Sequence, residues 1–288
     1  MKYKVAIITD SNSGVSNDEA HSLGINVVPM PFYVNEKLYH ENITINQDEF
    51  FKMLEQDLEI STSQPTPGDI LELWNSLLKE YDEIIHIPMS SGLSGSYMTA
   101  AALADDFNGK VFVINNKRIS VTQRQSVLEA ISLRNKGFSG KEIAELLNQY
   151  ALNASIYITV DTLKYLKKGG RVTTSGAALG TVLNIKPVLQ IQGDKLDAFK
   201  KARGRKQAMK IMINALENDL KNRFNGKKIS LYLAYSGNRS LAEDWEQMVK
   251  ATFPEYEIFS TPLPLSISCH IGAGAIGIGC VENIPEAQ

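Results

Sequence analysis

Short β-branched apolar runs recur through the first half of the chain, each closing in a turn-forming cluster and most leading on to an amphipathic stretch. Val5-Ala6-Ile7-Ile8 ends in Thr9-Asp10-Ser11-Asn12-Ser13-Gly14. A strand is predicted over 25–29, and Gln47 to Leu58 has a helical stripe of Phe50, Phe51, Leu54 and Leu58. Thr66 is a candidate N-cap with Pro67 at the first helical position, opening a helix to about Tyr81 that buries Ile70, Leu73, Trp74, Leu77 and Leu78. Strands over 83–88 and 111–114 follow, with helices around Ala100 to Ala102, over 123–136 and over 141–152. Apolar runs of this kind suit strands buried on both faces, and repeated βα units imply a parallel sheet with right-handed crossovers.

The second half has a different grammar. A strand at 156–160 leads into the basic segment Leu163 to Arg171. Strands at 187–192 and 195–202 flank Gly193-Asp194, a hairpin signal. A long helix is expected over 206–224, then a strand (229–235), a helix (241–252), a strand (257–260) and a glycine-alternating strand (276–281). The change of pattern puts a domain boundary near residue 154. The expected fold class is α/β with two α/β domains: residues 1–154 with a parallel sheet and flanking helices, and residues 155–288 with a mixed sheet.

Composition narrows the function. The 288 residues are 43% hydrophobic and 22% charged, as in an ordinary globular protein, and the formal net charge of −2 speaks against a nucleic-acid partner, which calls for a clear basic excess. The longest apolar run, near Ala273 to Val281, is glycine-rich and far short of the ~20 residues a membrane-crossing helix needs. No secretory leader is read at the start of the chain. Two cysteines, Cys269 and Cys280, make no disulfide framework, so a reducing, cytoplasmic compartment is expected. The four histidines and two cysteines show no metal-ligand spacing.

Three hydroxyl-rich loops, Thr9 to Ser13, Ser61 to Thr66 and Ser90 to Ser96, are expected at the carboxyl ends of parallel strands, where open α/β sheets bind ligands. Helix N-termini there favour an anion. No phosphate-loop or dinucleotide fingerprint is present, and these loops carry no Arg or Lys. The donors are Thr62, Ser63, Ser91, Ser94 and Ser96, which suit a single carboxylate better than a phosphate ester. The competing reading is plain turn and cap chemistry. Asp10 is read first as a tie for its loop, and His86 as a core or sheet-end histidine.

Five segments together resemble the DegV family: Thr9-Asp10-Ser11, Thr62-Ser63-Gln64-Pro65-Thr66-Pro67, Ser90-Ser91-Gly92-Leu93-Ser94-Gly95-Ser96-Tyr97, Leu166-Lys167-Lys168-Gly169-Gly170-Arg171 and His270-Ile271-Gly272-Ala273-Gly274. The resemblance runs from about residue 4 to 282. It implies two α/β domains enclosing a long-chain fatty acid, no cofactor and no catalytic residue in this chain. It also implies a separate fatty-acid kinase catalytic subunit that phosphorylates the lipid carboxyl with ATP. By the same resemblance Thr62 and Ser94 bind the carboxylate with Ser63 and Ser91 adjacent, His270 lies near the carboxyl end, and Arg171, Arg203 and Arg205 serve partner docking. Transient contact with a membrane is compatible with such a carrier. The alternatives are a serine-dependent acyl hydrolase or transferase, for which no Gly-x-Ser-x-Gly elbow is present, and a lipid-responsive regulator.

Overall fold

The computed structural model describes residues 3–56, 58–179, 185–193 and 195–288. In the first half, β1 (Val5–Asp10), α1 (Asn17–Leu23), β2 (Asn26–Val28), β3 (Pro31–Val34), β4 (Lys37–His40), α2 (Gln47–Glu55), β5 (Ile60–Thr62), α3 (Pro67–Leu77), β6 (Glu83–Ile87), α4 (Ser96–Ala104), β7 (Val111–Val113), α5 (Val121–Lys136) and α6 (Gly140–Gln149) follow in order. The second half contributes β8 (Ala154–Thr159), α7 (Lys164–Gly169), α8 (Thr174–Ala178), β9 (Ile185–Ile191), β10 (Asp197–Arg203), α9 (Arg205–Lys221), β11 (Ile229–Tyr235), α10 (Arg239–Thr252), β12 (Ile258–Pro262), α11 (Leu265–Ile271) and β13 (Ile276–Glu282). Asp194 of the expected hairpin turn lies outside the described residues.

Strands β2-β1-β6-β7 form the expected parallel sheet. Alternation along its strands splits the apolar residues between two layers. Ala6, Ile8 and Ile84 pack with Ile70 and Trp74 of α3 on one face. Val5, Ile7, Ile85 and Ile87 pack with Val127 and Leu133 of α5 and Ile143 of α6 on the other. His86 is buried and meets Trp74 edge-on, as expected of a core histidine. Helix α3 opens as read, with the Thr66 hydroxyl accepting from Asp69 N–H and Pro67 in the first turn, but it stops at Leu77.

Two departures from the expectation bear on the site. A separate antiparallel sheet, β4-β3-β5, takes up residues 31–62, so Ser61 and Thr62 lie on a strand of that sheet and not after a parallel strand. The segment 265–271, left without an assignment by the sequence pattern, is helix α11.

The second half builds a mixed six-stranded sheet, β10-β9-β8-β13-β11-β12. Helices α9 and α10 cover one face, through Met212, Leu216, Trp245 and Val249. On the opposite face Ile158, Leu189, Ile191 and Ala234 meet Met30, Met89, Leu93, Ile119 and Val121 from the first half, and Ile267 and Ile271 from α11. This shared core is where a ligand between the two halves would lie. Gly277 and Gly279 of β13 keep it tight: a Cβ on Gly279 would stand 3.2 Å from Thr122 Cγ2 of α5.

Candidate functional site

Strand β1 ends in Asp10, whose buried carboxylate accepts hydrogen bonds from Met89 N–H (2.8 Å), Asn12 N–H (3.0 Å) and Gln123 Nε2 (3.0 Å). Burial outweighs these bonds and raises its pKa to about 6. Asp10 therefore fixes the start of the Ser90 loop, the structural role expected of it. That loop is closed by Leu93 N–H and Ser94 N–H donating to Ser90 C=O at 3.0 and 3.1 Å, so Leu93 and Ser94 reach the interior.

The loop, β5, α7 and α11 together wall a cavity of about 220 Å³. Its polar wall has Thr62, Ser63, Gln64, Ser94, Arg171 and His270 on it, with Asn12 and Ser266 nearby; its apolar wall has Met30, Leu93, Ile119, Leu166, Leu196 and Ile267. A second cavity, of about 50 Å³ and almost wholly apolar, lies over the six-stranded sheet. Ile119, Leu196, Ile267 and Ile271 line both. Ile158, Ala234, Gly277 and Gly279 line the deeper one.

Within the polar wall, Thr62 Oγ1 and His270 Nε2 are 2.8 Å apart, and Ser94 Oγ lies 2.8 Å from Ser96 Oγ. Burial, helped by the Arg171 charge, holds the His270 pKa down at about 4, so the imidazole is neutral at neutral pH. Arg171 is anchored by donating from Nε to Leu93 C=O at 3.2 Å and from Nη1 to Gly169 C=O. The wall thus offers hydroxyls, a neutral imidazole and one guanidinium, a donor set for a single carboxylate. No group of three His, Cys, Asp or Glu side chains among the described residues could hold a metal ion.

Two glycine motifs meet at this wall. A Cβ on Gly169 would lie 2.1 Å from His270 Nδ1, so only glycine lets α7 close on the imidazole. Gly272, at φ +77°, turns the chain out of α11 directly against Tyr165. Gly169→Ala is expected to push His270 off Thr62 while the protein stays folded. The check is an imidazole NMR titration, in which His270 should shift up from about 4 towards its ordinary range; an unchanged titration would count against this packing.

The structure sorts the expected site residues. Thr62, Ser63, Ser94 and His270 come together on the cavity. Ser91 is not among the lining residues: its hydroxyl accepts from Asn115 Nδ2 at 2.9 Å and Lys117 Nζ at 3.2 Å. Arg171, expected on a docking surface, lines the cavity, because the Gly169-Gly170 turn folds it back over the loop. The expectation of a wall without cations is corrected accordingly. Arg205 pairs with Asp161, which also accepts from Lys186 Nζ at 2.8 Å, and Arg203 is exposed at the end of β10. Asn12, Gln64 and Ser266 were not foreseen; Ser266 lies on the unread helix α11.

Thr62, Arg171 and His270 also face a further cavity of about 190 Å³, lined by Lys164, Tyr165 and Lys168. The polar wall is thus flanked by a recess that carries Lys164 and Lys168.

Comparison with known proteins agrees with this architecture. The family model described as "Uncharacterised protein, DegV family" matches residues 4–283. A DegV domain-containing protein of Listeria innocua is 29% identical over 281 residues, covering 96% of this chain and 98% of the relative. A DegV family protein from Thermus thermophilus, whose solved structure concerns its fatty acid binding, superposes with a TM-score of 0.88 at 30% identity, covering 97% of this chain and 99% of that one. DegV from Bacillus subtilis, described as a fatty acid binding protein, superposes with a TM-score of 0.86 at 26% identity, over 98% and 100% of the two chains.

Proposed function

This chain belongs to the DegV family, and on that premise we propose that it encloses one long-chain fatty acid and offers its carboxyl group to a separate, ATP-dependent kinase subunit. The observation that carries the lipid is a donor-rich cavity and an almost wholly apolar one that share Ile119, Leu196, Ile267 and Ile271 as a common wall. The carboxylate sits against Thr62, Ser63, Ser94, His270 and Arg171, and the tail runs down over Ile158 and Ala234. Hydrogen bonds and one cation offset the cost of burying the anion. The tail supplies most of the affinity, at ~0.8 kcal/mol per buried methylene.

In this reading residues 1–154 supply the hydroxyl loops and residues 155–288 cover the tail, with Arg171 and His270 reaching the headgroup from the second part. The chain is a binding subunit without catalysis of its own, acting in the cytoplasm. Two features favour this over a serine hydrolase: His270 bonds a threonine, and Ser94 bonds Ser96 in place of a base. The free, buried thiols of Cys269 and Cys280 suit a reducing compartment. No helix among the described residues is long and apolar enough to cross a membrane.

Phosphoryl transfer needs a carboxylate oxygen that a γ-phosphate can reach, and the recess walled by Lys164 and Lys168 beside Thr62 and His270 supports such an approach. The exposed Arg203, with Arg205 two residues on, is the docking candidate. Arg203→Glu with Arg205→Glu should leave fatty-acid affinity unchanged and abolish acyl-phosphate formation by the cognate kinase, read by trapping the product with hydroxylamine. Unaltered hydroxamate yield would remove the docking role; no hydroxamate from the wild-type pair would remove the kinase partnership.

A further inference from the structure

Helix α11 carries His270 to the headgroup and Ile267 and Ile271 to the tail, yet it has no cap of its own. It follows Pro264, which offers no side-chain hydrogen bond. Its first free N–H, that of Leu265, donates instead to Glu41 Oε2 at 2.7 Å, across 224 residues of sequence. The other carboxylate oxygen, Oε1, accepts from Gln47 Nε2 at 2.8 Å, and the same amide donates to Leu263 C=O at 3.2 Å. One glutamate and one glutamine thus grip both sides of the turn from β12 into α11.

The grip is built on rigid parts. Glu41 lies in a tight loop after β4, in which Thr44 Oγ1 accepts from His40 N–H at 2.8 Å, Asn42 N–H donates to Ile45 C=O at 2.9 Å, and Asn42 sits at φ +57°. Gln47 is the first residue of α2. Further along, Ser266 donates to Asn12 Oδ1, and Leu265 and Cys269 pack with Phe32 and Phe50 against the three-stranded sheet.

We propose that Glu41 is a positioning residue for the fatty-acid site: with Gln47 it clamps the N-terminus of α11 and so fixes where His270, Ile267 and Ile271 stand. The proposal rests on reading the cavity as the lipid site, but the clamp can be tested in the lipid-free protein. Freed from Glu41, α11 swings away from the loop after β4, the Thr62–His270 hydrogen bond is lost and the imidazole gains access to water.

The test uses Glu41→Ala, Glu41→Gln and Gln47→Ala in the whole chain. NMR titration of the histidine ring signals in delipidated protein reads α11, with His270 identified through His270→Gln; palmitate titration reads the site. Glu41→Ala should move the His270 midpoint up from about 4 towards the ordinary value of 6.5 and weaken palmitate binding roughly 10- to 100-fold, the scale of one charge-assisted hydrogen bond. Glu41→Gln, whose amide oxygen still accepts from Leu265 N–H, should recover most of both. If Glu41→Ala fails to fold, Gln47→Ala should show the same two changes in smaller measure. A His270 midpoint that stays at its wild-type value in the folded variant overturns the clamp, whatever happens to lipid binding. A shifted midpoint in a protein that takes up no palmitate even as wild type keeps the clamp and removes the lipid reading.

Discussion

Replacing Ala234 with phenylalanine is expected to abolish tight binding of C16 and C18 fatty acids while sparing shorter ones. Ala234 lines the floor of the deeper apolar cavity, on the inner face of β11. A phenyl ring there would fill the space proposed for the end of the acyl chain. If about five methylenes are denied burial at ~0.8 kcal/mol each, roughly 4 kcal/mol is lost, close to a thousandfold in affinity. The added ring also carries an overpacking cost of ~1–3 kcal/mol, so thermal unfolding has to be followed alongside. Calorimetric titration of delipidated protein with acids from C8 to C18 gives the answer. Binding should rise with chain length in the wild type and level off early in the variant. A variant that still gains affinity up to C18 would show that the tail runs elsewhere.

The second large effect belongs to the headgroup. Thr62→Ala combined with Ser94→Ala removes two hydroxyl donors from the polar wall. A hydrogen bond to a charged group contributes about 1.5–3 kcal/mol, so the pair should lower affinity by roughly 10²- to 10⁴-fold. The loss should be nearly the same for every chain length, in contrast to Ala234→Phe. Fatty alcohols of matched length, which bring no anion, should lose less than the acids. Wild-type affinity in the double variant would take the carboxylate away from this wall.

Residues whose role depends on local pattern were legible in the sequence. Val5 to Ile8 and Ile84 to Ile87 are buried on both faces, the pattern typical of a parallel sheet covered by helices on both sides. Thr66-Pro67 announced the start of α3 through cap chemistry alone. The sheet β4-β3-β5 was hidden by its turn. Asn35 and Glu36 both take positive φ, at +46° and +66°, and a glutamate in the second position conceals a hairpin that Asn-Gly would advertise. Helix α11 was hidden by its composition, since Leu265-Ser266-Ile267-Ser268-Cys269-His270-Ile271 alternates like a strand and is held as a helix by packing and by Glu41.

The site was legible as chemistry and not as geometry. Ser91 and Ser94 stand three residues apart in one loop, and only its closure on Ser90 C=O decides that the second faces the cavity. Arg171 read as a surface cation because nothing in Lys167-Lys168-Gly169-Gly170-Arg171 says that Gly170, at φ +67°, returns the side chain to Leu93 C=O. The apolar recess left no mark at all, because Ile158, Ala234 and Ile267 are the residues any sheet–helix core would use.

The central claim is met most directly by mass spectrometry of what leaves the purified protein on denaturation. The intact protein, sprayed under native conditions, should carry one extra mass per chain, and the organic extract should contain fatty acids of about C14–C18 in amounts close to one per protein, with the mass missing from Thr62→Ala/Ser94→Ala. Protein that is free of lipid as purified, and that takes up none when offered palmitate or oleate, would contradict the account.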